Sequence, residues 1–229
     1  MKKLFSSLLF MSFCASILAQ LPIRYYENTR VGYKNSDGSI LIPAQYEAGS
    51  DFKEGFAIVL IGKKRGYINT KGEIAIPAQY DDASLFINGK AKVAVNGKYG
   101  FINTAGALVI PAAFEYAEDY SGGLALVKQN NLFGFIDETG KTVIIPQYSS
   151  ARSFSEGLAC IEVNKKWGYI DPSGNVLISP TYLMAHSFSN GEAVVFKGEK
   201  TIVINKNNKK LREIENEEEE EKREAKRNK

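Results

Sequence analysis

One glycine recurs every 34 residues along this chain, at Gly32, Gly66, Gly100, Gly134 and Gly168. Two further series keep the same step: Gly55, Gly89, Gly123, Gly157 and Gly191, then Gly38, Gly72, Gly106, Gly140 and Gly174. Aromatic residues follow at Tyr46, Tyr80, Phe114, Tyr148 and Tyr182, and again at Phe52, Phe86, Tyr120, Phe154 and Phe188. A chain with one period in so many registers is a tandem array, in which units too small to bury a core alone stack and share one.

A period of this length also suits helical hairpins, so local chemistry has to choose. In the fourth unit Leu158–Val163 reads as a strand, Asn164-Lys165-Lys166 as a short turn and Trp167–Ile170 as a second strand. Asp171-Pro172-Ser173-Gly174 is a four-residue turn, and Val176–Ile178 a third strand that stops near Pro180. In the four-residue turn Asp or Asn comes first, where its side chain accepts a bond from the backbone two residues on, and glycine comes last. Asn69-Thr70-Lys71-Gly72 and Asp137-Glu138-Thr139-Gly140 repeat that rule. The preceding turn is Asn96-Gly97 in one unit and Asn130-Asn131 in another, which favours a tight hairpin with positive φ. The reading is all-β, with three-stranded meanders as the unit.

Alternation assigns the faces. Ala91/Val93, Ala125/Val127 and Ala159/Ile161 share one face and predict core, while Lys92, Leu126 and Cys160 between them vary. Tyr99/Phe101, Phe133/Phe135 and Trp167/Tyr169 share a face opposite the mid-strand glycines Gly100, Gly134 and Gly168. A glycine inside a strand weakens it, so a neighbouring backbone or an aromatic ring needs the space. Between meanders runs Tyr-x-x-Ala-x-x-Phe, as in Tyr148 to Phe154, and spacings of three predict a helical turn there.

The run Lys165-Lys166-Trp167-Gly168-Tyr169-Ile170-Asp171, the glycine-bearing turn, the Ile-Pro step and the Tyr…Ala…Phe link resemble the WG-repeat family of bacterial proteins. The resemblance covers about Val31 to Asn205. Tyr99, Phe133, Arg65 and Val31 stand where that family has tryptophan. It implies an interaction or cell-surface module and carries no catalytic residues with it. The end units, Val31-Gly32-Tyr33-Lys34 and Thr201-Ile202-Val203-Ile204, depart from the pattern as caps do, which favours an open twisted array over a small closed propeller-like ring.

Residues 1–19 have the layout of a secretory signal peptide: Lys2 and Lys3, an apolar run Leu4 to Phe13, and Ser16-Ile17-Leu18-Ala19 as the exit. The run is too short to span a bilayer, and no later segment is long enough. Phe13 stands where a lipoprotein signal has a small residue, which argues against lipid anchoring at Cys14. With Cys14 removed, Cys160 is the one thiol and reads as a small buried hydrophobe. Residues 20–205 then form the repeat domain, and residues 206–229 a charged tail, helical or disordered. The tail has nine basic and eight acidic residues, with Glu218/Lys222 and Glu219/Arg223 at helical spacing.

Between Gln20 and Asn205 there are 18 basic and 18 acidic residues, so no basic stripe is available for nucleic acid. His186 is the only histidine, which excludes a histidine triad or a multi-histidine metal site within one chain. Asn35, Asn69, Asn103, Asp137 and Asp171 could suggest calcium, yet each stands where its turn wants it. Asp81-Asp82 and Glu118-Asp119 read as solvated link charges, and the aromatic stripe as core before sugar platform. The sequence therefore assigns no catalytic, metal or cofactor residues and leaves the binding residues open. The expected function is a non-enzymatic exported module, in the periplasm or at the cell surface, with an unidentified protein or surface ligand as partner. The alternatives are an envelope component that self-associates through sheet edges, and a glycan-active enzyme using Asp/Glu.

Overall fold

The computed structural model describes residues 21–214; the leader and residues 215–229 of the tail lie outside the described residues. Among the described residues every regular element is a strand, and the strands form six antiparallel sheets. Sheet 1 holds Ile23–Glu27, Arg30–Lys34 and Ile40–Tyr46. Each later sheet has a two-residue link strand followed by a first, second and third strand, hydrogen-bonded in that order. Sheet 2 is Ala48–Gly49, Phe56–Ile61, Lys64–Asn69 and Ile74–Tyr80. Sheet 3 is Asp82–Ala83, Lys90–Val95, Lys98–Asn103 and Leu108–Phe114. Sheet 4 is Tyr116–Ala117, Leu124–Gln129, Leu132–Asp137 and Thr142–Tyr148. Sheet 5 is Ser150–Ala151, Ala159–Val163, Lys166–Ile170 and Val176–Tyr182. Sheet 6 is Met184–Ala185, Glu192–Lys197, Lys200–Asn205 and Lys210–Ile214.

Three features differ from the sequence reading. The link is extended where a helical turn was expected. Asp81 N–H donates to the Ala94 carbonyl and Ser84 N–H to the Lys92 carbonyl, both on the first strand of the following sheet. A helical turn would withdraw those donors and leave the first strand's edge carbonyls unpaired. Tyr80, Ala83 and Phe86 still point into one gap between sheets 2 and 3, which is why they recur at spacings of three. Secondly, five sequence repeats make six sheets. Each repeat begins on the second strand of one sheet and ends on the next, so Ile23–Glu27 and Lys210–Ile214 complete the ends. Thirdly, Lys210–Ile214 belongs to the fold and not to the helical or disordered tail: it pairs with the second strand of sheet 6, Thr201 facing Ile214 and Val203 facing Arg212.

The sheets stack by a repeated contact. The second strands of sheets 1 to 5 each send an aromatic forward, Tyr33, Tyr67, Phe101, Phe135 and Tyr169, all within 1% of full burial. Beside it stands the third-strand isoleucine, Ile42, Ile76, Ile110, Ile144 and Ile178. They meet the backward face of the following sheet, for example Phe101 and Ile110 against Ala125, Val127 and Ile136. Burying one such aromatic contributes roughly 1.5–3 kcal/mol. Five hydrophobic clusters account for the five interfaces of six sheets in an open row. A closed ring needs a sixth between sheets 1 and 6, and none of these clusters holds residues of both.

The mid-strand glycine is explained within its own sheet. In sheet 4, Phe133 faces Tyr148 and Phe135 faces Ile144, so two residues of the second strand span four of the third. The bulge folds the third strand's backbone over Gly134, where a Cβ would lie 2.5 Å from the Ile144 carbonyl oxygen and 2.6 Å from Pro146 N. Sheet 6 carries Ile202 at this position, and there the third strand runs without a bulge opposite it. The ends are capped differently from the interior. Tyr25 lays its ring over Gly32, the place a preceding sheet would fill. On the last sheet's forward face Arg212 replaces the isoleucine and pairs with Glu192 at 2.7 Å.

Candidate interaction surface

The Asn and Asp residues that open the turns do what their turns require. The side-chain oxygens of Asn69, Asn103, Asp137, Asp171 and Asn205 each accept two backbone N–H groups, from two and four residues on, at 2.8–3.1 Å. Asp137 and Asp171 are held below the usual carboxylate range, chiefly by bonds from the Thr139 and Asn175 side chains. At Asn35 the role passes to Asp37, which takes the Ser39 N–H. The link carboxylates are engaged as well. Asp81 pairs with Lys64, which lowers its pKa, and Asp82 pairs with Arg65 at 3.1 Å. Glu118 accepts from the Tyr116 hydroxyl at 2.9 Å and from Ser153. His186 is exposed, with its ring 6.1 Å from that of Phe196, and its carbonyl accepts the Tyr169 hydroxyl at 2.8 Å. Cys160 is buried against Tyr169 and Phe188, and burial pushes its thiol up to about 11.

The aromatic stripe splits in two. Phe101, Phe135 and Tyr169 are core. Tyr99, Phe133 and Trp167, two residues earlier and on the same face, are only half-buried. Each has a cation over its ring: Lys92 at 5.6 Å from the Tyr99 centroid, Lys128 at 5.4 Å from Phe133, and Arg152 at 5.6 Å from Trp167. These cations come from different positions of the repeat, two from the first strand and one from the link. No multiple of the 34-residue step separates them, so a search by period passes them over. The signal available in sequence was the half of the stripe nearest the hairpin turn, where a strand leaves the sheet interior.

Tyr116 joins this row. Its ring lies 6.2 Å from Tyr99 and 6.1 Å from Phe133, bridging sheets 3 and 4, and it is 39% exposed. Burial, then the adjacent Glu118, raises its phenol to about 12, so it stays a neutral donor. Sheets 1 and 2 carry Arg24 and Arg65 along the same line. Arg24 is spent on Asp51 at 3.2 Å and on the Gly49 carbonyl, and Arg65 on Asp82 and the Asp81 carbonyl. Among the described residues, Lys92, Lys128 and Arg152 pair with no carboxylate. Sheets 3 to 5 thus present three cations on aromatic seats. Two of the hollows are about 290 Å³ beside Arg24 and Arg65, and about 470 Å³ between Tyr182 and the lysines of sheet 6.

The profile of the family described as WG containing repeat matches residues 32–64, 66–99, 99–133, 133–167 and 167–200. A search among curated proteins returned no match. Among solved structures, the crystal structure of a eukaryotic initiation factor is similar at a TM-score of 0.56 and 10% identity, covering 85% of this chain and 62% of that one. BamB from Moraxella catarrhalis gives 0.49 at 9% identity, over 84% and 69%. Hsv2 from Kluyveromyces lactis gives 0.47 at 11%, over 70% and 60%. The chain spans about three fifths of the length of the initiation-factor chain. That likeness concerns the fold alone.

Proposed function

The chain belongs to the WG containing repeat family, and on that premise we propose that it is a non-enzymatic, exported scaffold that binds a partner protein along the row of sheets 3 to 5. The observation that carries the reading is the convergence of Lys92, Lys128 and Arg152 on equivalent aromatic seats from non-equivalent positions. Repetition of the fold alone would place like residues at like positions; this convergence does not follow from it. Holding three like charges without carboxylate partners in one row costs self-repulsion, and an interface that uses them offsets it. Export rests on the leader sequence at residues 1–19.

Self-association through the sheet edges has one supporting observation. The outer third strands expose Leu108, Val109, Val143, Ile145, Val176 and Leu177, at 41–66%. Those edges also carry Pro111, Pro146 and Pro180 and a bulge in each sheet, devices that discourage pairing with a further strand. The partner-binding reading is therefore preferred.

The test is affinity capture from envelope extracts with the immobilised mature chain. It is run beside the Lys92→Ser/Lys128→Ser/Arg152→Ser variant and a chain ending at residue 214. A protein held by the first and lost by the variant supports the reading. Equal retention by the variant refutes this surface, loss with the truncation moves the function to the tail, and recovery of the protein's own chain alone favours the structural alternative.

A further inference from the structure

Resting on the scaffold reading, we propose that the row of sheets 3 to 5 takes an extended acidic peptide segment, its carboxylates spaced about three residues apart. The cations sit on equivalent seats in consecutive sheets. Packed sheets lie about 10 Å apart, and three residues of extended chain also cover about 10 Å. A strand-like segment laid across the array therefore brings one side chain in three to a cation. Lysine and arginine are donors without acceptors, so the complementary group is an anion, and carboxylates are the anions a peptide carries.

The rings decide between a peptide and a sugar. A pyranose recognised by an aromatic residue stacks on the ring face. Here one face of each of Tyr99, Phe133 and Trp167 already holds a cation at 5.4–5.6 Å, and the rings pack against the clusters between the sheets. The seat fixes the cation and leaves its outer N–H groups for the ligand. Between two seats the Tyr116 ring, 39% exposed, offers apolar contact to the residues between the carboxylates. Two acidic neighbours are engaged within the protein: Glu118 by Tyr116 and Ser153, and Glu162, the cross-strand partner of Trp167, by the Ser149 hydroxyl at 3.1 Å.

The experiment is fluorescence anisotropy with the mature protein and labelled 12-residue peptides of Glu, Ser and Gly. One peptide has Glu at every third position, one has the same glutamates in a block, and one has none. A labelled oligogalacturonate stands for an anionic glycan. The spaced peptide is expected to bind several-fold tighter than the block peptide and to weaken as salt rises. The Lys92→Ser/Lys128→Ser/Arg152→Ser variant should bind it roughly tenfold more weakly, from three exposed charge pairs of ordinary strength. Lys92→Gln and Lys128→Gln alone should each cost about twofold to threefold, which guards against a folding defect in the triple variant. The Lys98→Ser/Lys141→Ser/Lys165→Ser protein, which loses equal charge at exposed positions in or beside turns, should bind as the parent does. No binding of the spaced peptide, equal loss in both triple variants, or tighter binding of the glycan overturns the proposal. If the row still captures a protein while the peptides fail, the scaffold stands and only the ligand chemistry falls.

Discussion

Replacing Gly134 with alanine would place a methyl group 2.5 Å from the Ile144 carbonyl oxygen, 2.6 Å from Pro146 N and 2.8 Å from Pro146 Cα. Ordinary contact begins at 3.4 Å, so the third strand of sheet 4 would have to retreat by about 0.9 Å, the difference from 2.5 Å. All three neighbours are backbone, and no rotamer change relieves them. The retreat draws Ile144 and Tyr148 away from Ala159 and Ile161, the contact that joins sheets 4 and 5. Overpacking of this kind costs about 3 kcal/mol, or a fall of about 6–12 °C in Tm for a chain of this size. In an ordinary strand the same change would gain about 0.5–1 kcal/mol, so the sign itself is diagnostic. Gly157 supplies the comparison: its φ is +84° with nothing within 4 Å, and Gly157→Ala should cost only about 1–2 kcal/mol from the left-handed backbone. Urea unfolding followed by Trp167 fluorescence and by circular dichroism measures both, with coincident transitions as the check on two-state behaviour. The reasoning is refuted if Gly134→Ala is as stable as the parent, or loses less than Gly157→Ala. Sheet 6 already contains a version of the experiment, because Ile202 occupies the glycine position where the opposing bulge is missing.

Other outcomes follow from single groups. The Cys160 thiol, pushed up to about 11 by burial, should be about one part in a thousand thiolate at pH 8. It should resist a thiol reagent in the native protein and react at once in urea; rapid native labelling would contradict its placement. Glu213 is held near a pKa of about 2 by Lys200 and Lys210, against an ordinary 4.5. Because the folded value is the lower one, its contribution to holding Lys210–Ile214 is present above pH 4.5 and is lost as pH falls towards 2. A side-chain NMR titration giving Glu213 an ordinary pKa would remove that role. Tyr67→Phe deletes a 2.7 Å bond to the Ser84 carbonyl across sheets 2 and 3 and should cost about 1 kcal/mol. A cost above about 3 kcal/mol would mean that the ring itself had moved, since Phe101 and Phe135 fill the same place in sheets 3 and 4.

The repeat, the strands, both turns and the core face were legible in the sequence because each depends on neighbours a few residues away. A turn that begins with Asp171 and ends with Gly174 is specified by its own side-chain oxygen and backbone, whatever lies around it. Alternation marked Ala125 and Val127 as core for a similar reason: a pleated strand sends every second residue to one side. Where hydrogen bonds go to another unit, this local reading fails. Tyr80, Ala83 and Phe86 have helical spacing, but the carbonyls of Lys92 and Ala94 hold the link extended, and Lys210–Ile214 becomes a strand because the second strand of sheet 6 offers it an edge. The candidate surface belongs wholly to this second class. Lys92, Lys128 and Arg152 share no register in the sequence, and only the stacking of sheets 3 to 5 brings them onto one row of rings. Periodicity determines what is equivalent along a chain; which non-equivalent side chains meet is decided by packing, because through-space distance sets their interaction and sequence separation does not.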